Sequence, residues 1–240
     1  MYSGVGATMY DDVTRADVSE LREVEAALGA TADLPENILD VAAGSGRVTE
    51  ALLRLPWSPT VTALDTSEEL LSVLDSRLAR YGTRVQILRA DARFTATRSQ
   101  FDAAVIATSS ISLFGTADRD AVFNAVNSML SVGSTLVVTN FMSRSLEGSS
   151  VRGATGDSGM AYLVREEILS DGTRRTQLRN PATGETSAPS RVQNIPSDQL
   201  SNEIKLAGFR IDSSDFLRND AIGEHVLFVA TKLGSSGGQE

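Results

Sequence analysis

Apolar residues follow two alternating rhythms along the first two-thirds of the chain. Compact runs such as Ile38-Leu39 with Val41 give way to stretches where they return every three or four positions. The runs read as buried parallel strands and the spaced stretches as amphipathic helices. Strands are predicted at residues 37–41, 60–64, 84–88, 101–107 and 135–140. Between them, Leu21, Val24 and Leu28 mark one helical face, which follows a capping box from Asp17 to Glu20 and ends at Gly29. Val48, Leu52 and Leu53 mark a second helix opening just beyond Gly46, and Leu70, Leu71, Leu74 and Leu78 a third, behind the capping box Thr66 to Glu69. A fourth is predicted over residues 119–130, with Gly133 as its cap. The segment up to Asp12 is glycine-rich and is expected to be mobile as far as Tyr10. Strands alternating with helices predict an α/β fold with a parallel sheet and right-handed crossovers.

The rhythm changes at Ser143. Residues 143–159 are rich in Gly and Ser and read as a flexible connection. Strands are then predicted at 160–169, 173–179 and 185–194, separated by the turns Asp171-Gly172 and 180–184. This is a small antiparallel sheet inserted at 143–194 into a domain formed by 1–142 and 195–233. A helix at 197–207 and strands at 209–216 and 225–231 close that domain, and 234–240 is expected to be a disordered tail.

Composition narrows the class. The chain has 240 residues, 41% apolar and 22% charged, enough for one sizeable core with an insertion. No apolar run approaches a membrane span, and MYSGVGATMYDD lacks a signal-peptide pattern, so the cytoplasm is the expected location. There is no cysteine and one histidine, His225, so no metal site is expected. A net charge of −9 opposes nucleic acid as a partner. The same charge reads either as plain solubility or as a match to a cationic substrate such as an amine.

The candidate chemistry begins at residues 38–53, ILDVAAGSGRVTEALL. Asp40 ends the strand and adds an acceptor for the ligand just before the loop, and five small residues from Ala42 to Gly46 lead into a helix N-terminus, a cradle for a polar or anionic group. A dinucleotide-binding G-x-G-x-x-G turn is the rival reading, but Thr49 occupies its third glycine position. Asp65 ends the second strand, where a carboxylate can accept both hydroxyls of a ribose. Asp91-Ala92 follows the third strand, where side chain and backbone could read an adenine edge. Helix capping is the plain alternative for each aspartate.

The order D-x-A-x-G-x-G-R resembles the first motif of class I S-adenosylmethionine (SAM)-dependent methyltransferases, with Ala42 and Arg47 in place of the outer glycines. ILDVAAGSGRVTEAL, VTALDTSEELLSVL, VQILRADAR, FDAAVIATSSISLF and TLVVTNF follow the order and spacing of that family. The resemblance implies a Rossmann-like seven-stranded fold with the antiparallel insertion as a lid, SAM as cofactor and S-adenosylhomocysteine as product. It implies that Gly44 and Gly46 pass the methionine end, Asp65 with Thr66 holds the ribose, Asp91 and Ala92 meet the adenine, and Ala107, Thr108 and Ser109 flank the sulfonium. Arg47 would face the methionine carboxylate or be an ordinary surface arginine. Tyr10-Asp11 is similar to the Tyr-Asp of small-molecule methyltransferases whose N-terminal segment folds over SAM. Tyr10 would then close the site, or simply pack beneath the first helix.

The acceptor is to be sought around this cofactor site. Ser110, Asn140 and Phe141 follow strand ends, and Tyr162, Val164 and Glu166 alternate on one face of the insertion as a roof or a plain hairpin face. His225 lies at the ligand edge if the last strand is antiparallel, as the family implies. His225 and Tyr10 are the candidate proton acceptors, with a structural histidine as the alternative. The motif form, the Tyr-Asp and the insertion are similar to natural-product tailoring enzymes, among them daptide-type N-methyltransferases of ribosomal peptides. The expected activity is methylation of a small molecule or peptide, on nitrogen before oxygen. The alternatives are a nicotinamide-dependent oxidoreductase, for which no Tyr-x-x-x-Lys pair is present, and a non-catalytic SAM-binding assembly protein.

Overall fold

A computed structural model describes residues 4–16, 19–97, 100–144, 148–219 and 223–234. Seven strands form the main sheet: β1 (Asn37–Val41), β2 (Thr60–Asp65), β3 (Val85–Arg89), β4 (Phe101–Ile106), β5 (Leu130–Ser143), β10 (Phe209–Asn219) and β11 (Gly223–Lys232), in the order β10-β11-β5-β4-β1-β2-β3. β1 to β5 pair in parallel, and β11 runs antiparallel to both β5 and β10.

Both faces of the central strands β1, β2 and β4 are buried, which is why they read as unbroken apolar runs. Leu39 and Val41 pack with α5 (Thr116–Met129) and α6 (Ser197–Leu206), through Val122, Phe123, Leu200 and Ile204. Ile38, Val61 and Ala63 turn to the other face, against α2 (Ser19–Gly29), α3 (Arg47–Leu53) and α4 (Glu68–Leu78). Each fully buried aliphatic side chain contributes about 1.5–3 kcal/mol through water exclusion. A buried Arg119–Glu203 pair, bonded at 2.7 and 2.6 Å, ties α5 to α6. No described helix is long and apolar enough to cross a membrane.

The second sheet has the order β6-β7-β8-β9, from Gly148–Thr155, Ala161–Ile168, Arg174–Arg179 and Ser190–Val192. Its base is fastened to β5, where the Asn194 side chain bonds both the amide and the carbonyl of Ser143 at 2.7 Å.

Four expectations are corrected. The N-terminal segment is ordered from Val5 to Arg15 as α1, because Met9 packs with Tyr162, Val164 and Leu178 of the second sheet. Much of the expected flexible connection is strand β6, paired with β7 along its whole length. Its exposed, Ser- and Gly-rich edge position hides the usual alternation. The third expected strand of the insertion shrinks to Ser190–Val192, plus one bridge between Arg179 and Thr186. Gly133 is no helix cap: β5 begins at Leu130, and Gly133, at φ +85°, lies where the ladder to β4 slips. Asp17, which opens the expected capping box, and all of the expected tail beyond Gly234 lie outside the described residues.

Candidate active site

The C-terminal ends of β1, β2, β4 and β5 meet on one edge of the main sheet, where ligands of open α/β sheets bind. Three residues of the β1–α3 loop take left-handed backbone angles: Ala42 at φ +58°, Gly44 at +55° and Gly46 at +86°. A Cβ on Gly46 would lie 2.6 Å from Leu74 Cγ, so only glycine lets α4 pack against the start of α3. Ala42 adopts a conformation that normally favours glycine, a local strain stored at the site.

The aspartates divide by role. Asp40 is buried, lines neither of the two cavities at this edge, and accepts a 2.6 Å bond from the Thr49 hydroxyl. Burial pushes its carboxyl up to about 7; the Thr49 bond opposes this shift and the nearby Asp65 charge adds to it. The expected direct part for Asp40 at the ligand is therefore corrected to support of the loop from beneath. Asp65 lies in the cavity wall, its carboxylate accepting the Gly44 and Ser67 amides, each at 2.8 Å. Asp91 is gripped by Arg93, whose Nη2 lies 2.6 Å away and whose Nη1 reaches Asp118 at 3.0 Å. That guanidinium holds the Asp91 carboxyl below its ordinary value.

Asp65, Asp91 and Arg93 line a cavity of about 510 Å³. Asp65, Thr66 and Asp91 lie on its polar side, while Leu64, Leu70, Ala92, Leu113 and Phe114 make it an apolar slot. A second cavity of about 360 Å³ adjoins it, the two sharing Tyr10, Ser110 and Leu113. Around the second stand Arg47, Thr108, Ser109, Phe141 and His225 from the main domain, with Val164, Glu166 and Arg174 from the small sheet. Burial raises the Tyr10 phenol above its ordinary value against the opposing charge of Arg47.

Glu20 organises the floor of the second cavity. Its carboxylate accepts the Thr108 amide at 2.6 Å and the Thr139 hydroxyl, and lies 3.6 Å from His225 Nε2. Burial opposes ionisation of Glu20, yet His225, Thr139 and Thr108 together hold its carboxyl below the ordinary value. His225 faces Phe141 edge-on across β11 and β5, with ring centroids 6.2 Å apart. Thr108 and Ser109 both have positive φ, and Ser109 Oγ accepts the Phe141 amide at 2.8 Å.

Four further expected site residues line neither cavity. Asn140 is buried and donates to the Ile195 carbonyl at 3.0 Å, Ala107 is buried in the core, and Gly46 is committed to the turn. Tyr162 points at α1, donating to Asp12 at 2.9 Å. Asp12 also accepts from the amide and hydroxyl of Ser158, while Asp11 accepts from Ser45 and Arg77, each at 2.5 Å. Helix α1 thus bridges the small sheet and the β1–α3 loop. Glu20 has no sequence mark of a site residue, since it reads as half of a capping box; Arg93, beside Asp91, was the nearer signal.

Residues 38–133 match the family model of a methyltransferase domain. No curated protein sequence matches the chain at a significant level. Among solved structures, a SAM-dependent methyltransferase from Clostridium acetobutylicum superposes with a TM-score of 0.78 at 17% identity, covering 95% of this chain and 98% of that one. The glycopeptide N-methyltransferase MtfA in complex with SAM gives 0.64 at 24%, covering 93% and 95%. An amino pentose methyltransferase of calicheamicin biosynthesis from Micromonospora echinaspora gives 0.68 at 20%, covering 97% and 98%. Residues 38–133 are thus similar to a methyltransferase domain, and the chain as a whole shares the fold of these SAM-dependent methyltransferases.

Proposed function

We propose that the first cavity holds SAM and that the second presents an amine nitrogen of a small-molecule or peptide acceptor for methylation, in natural-product biosynthesis. The observation that carries this reading is the junction of the two cavities at Tyr10, Ser110 and Leu113, with Asp65 in the first and the Glu20–His225 pair in the second. The first cavity fits a nucleoside: a carboxylate fixed by two amides can meet ribose hydroxyls, and an apolar slot next to Asp91 and Ala92 suits a base. Gly44 and Ala42 let the backbone approach the remainder of the molecule. When bound, SAM supplies a methyl group already activated on a sulfonium.

What the chain's residues contribute is positioning, water exclusion and proton handling. α1 and the small sheet cover the second cavity. Phe141 and Val164 give it apolar walls, and the ionised Glu20 favours a cationic acceptor. His225 takes the proton that an ammonium group must shed, and Glu20 stabilises the resulting imidazolium. The glycopeptide N-methyltransferase among the similar structures supports nitrogen as the acceptor atom, and the amino pentose methyltransferase supports an amine-bearing substrate. The sequence's similarity to ribosomal-peptide N-methyltransferases supports a peptide as one candidate.

Calorimetric titration with SAM, S-adenosylhomocysteine and NADH tests the cofactor, and binding of NADH without SAM would overturn the reading. Incubation with SAM and a panel of amines, amino sugars and short peptides, followed by mass spectrometry, tests the acceptor. A mass increase of one methyl or more on an amine is expected. Methylation of hydroxyls alone would move the assignment to oxygen, and SAM binding with no product across the panel would favour a non-catalytic role.

A further inference from the structure

A third groove lies at the opposite edge of the main sheet from the two cavities. It measures about 1190 Å³, more than twice the first cavity. Its walls are α2, the loop that follows it and the starts of β4 and β5, and its floor is one face of β10 and β11. That face is apolar in part: Leu217 and Val229, half-buried beside the buried Leu227, line the groove, while the neighbouring Val226, Phe228 and Ala230 face the core beneath α6. Leu34 and Val132 stand at the rim, 46% and 68% exposed.

The polar lining is of one sign. Glu23, Asp33, Glu36, Asp102, Asp212 and Asp215 border the groove, and among the described residues no lysine or arginine lines it. Asp102 is occupied by the amides of Glu36 and Asn37, and Asp212 by Arg210 and Thr231. Glu23, Asp33 and Glu36 are exposed and form no ion pair among the described residues. A lining of one sign favours a cationic partner. A small hydrophilic cation would leave the aliphatic floor wet, whereas a chain segment with basic residues on one side and aliphatic residues on the other would cover both.

We propose that this groove docks a basic amphipathic segment of a partner protein, remote from the catalytic edge. The proposal is independent of the identity of the methyl acceptor. The test is fluorescence anisotropy of the intact chain with a labelled synthetic helix of leucine, alanine and lysine, lysines on one face, and a matched helix carrying glutamates instead. Saturable binding of the lysine helix is expected, weakening with added salt, together with about a tenfold weaker Kd in the triple variant Glu23→Lys, Asp33→Lys, Glu36→Lys. The milder triple variant Glu23→Gln, Asp33→Asn, Glu36→Gln should lie between, and circular dichroism checks that both variants remain folded. Hydrogen exchange should show protection at α2 and β10. Equal affinity for both helices, unchanged affinity in the variants, or protection at the small sheet instead would overturn the proposal. Self-association that the lysine variant abolishes would assign the groove to a second copy of this chain.

Discussion

The Thr49 hydroxyl donates a 2.6 Å hydrogen bond to the Asp40 carboxylate, and both side chains are buried beneath the β1–α3 loop. Thr49 fills the position where a dinucleotide-binding turn carries glycine, and the bond gives it a purpose there: it ties α3 to the end of β1. Its cost appears in titration. The Asp40 carboxyl is raised, chiefly by burial, to about 7, so the folded chain binds a proton at pH values where the unfolded chain has released it. Stability from this residue is thus present at low pH and declines as pH rises from about 4 towards 7. The full shift corresponds to a loss on the order of 4 kcal/mol. Asp40→Asn keeps an acceptor for Thr49 and removes the titration. The difference in unfolding free energy between variant and wild type should therefore grow from pH 5 to 8 in the variant's favour, as measured by urea denaturation at each pH. A constant difference would show that Asp40 ionises normally.

Asp65 makes a sharper prediction about ligand. Its two oxygens are held by the Gly44 and Ser67 amides, which orient the carboxylate in the wall of the first cavity. Asp65→Ala should weaken SAM binding by about 1–3 kcal/mol through lost charge-assisted hydrogen bonds. Calorimetry measures this directly, and unchanged affinity would remove Asp65 from the ribose site.

Much of the main sheet was legible because strands buried on both faces are apolar along their length, and capping boxes and glycines punctuate the helices between them. Residues fixed by chain order at strand ends, such as Asp65 and Asp91, were legible for the same reason. What escaped was set by partners distant in sequence. α1 is stabilised by Met9 against Tyr162 and Leu178, and β6 by pairing with β7, so neither carries a local signal. Glu20 meets Thr139 across a separation of 119 residues. The reach of Asp40 and Asn140 was misjudged because position at a strand end does not say which way a side chain turns.

Loop strain gives a pair of opposed predictions. Ala42 at φ +58° costs about 1–2 kcal/mol relative to ordinary angles, against the greater entropy that glycine loses on folding, about 0.5–1 kcal/mol. Ala42→Gly should therefore stabilise the chain by about 0.5–1 kcal/mol with SAM affinity retained. Gly46→Ala should destabilise it by roughly 2 kcal/mol or more, because its Cβ strikes Leu74 as well as straining the backbone. Chemical denaturation compares the two, and equal effects would mean that the loop relaxes freely.

The clasp between α1 and the small sheet should govern how long ligand stays. Asp12 accepts from Tyr162 and from Ser158, and the Tyr162 phenol is pushed up to about 12 by burial and by the Asp12 charge. Tyr162→Phe removes one bond and should cost about 1 kcal/mol, while Asp12→Ala, which leaves both donors without their acceptor, should cost more. If α1 covers bound SAM, both variants should accelerate its dissociation in stopped-flow measurements and speed hydrogen exchange in α1. Faster exchange with unchanged dissociation would leave α1 a structural brace only.

The Glu20–His225 pair carries the test of proton handling. Glu20 is held below its ordinary value, so it stays ionised throughout neutral pH and remains the fixed partner. His225→Gln should lower kcat with an amine acceptor by about 10²-fold or more, the scale of a lost general base, with KM for SAM nearly unchanged. Glu20→Gln keeps a hydrogen-bonding side chain beside Thr108 and Thr139 but loses the charge that stabilises imidazolium. It should leave SAM affinity intact and lower kcat with the amine acceptor, because the charge that stabilises the imidazolium is gone. A structural histidine would give a fall in stability with kcat of the folded enzyme unchanged, and that result would return the proton acceptor's place to Tyr10 or to solvent.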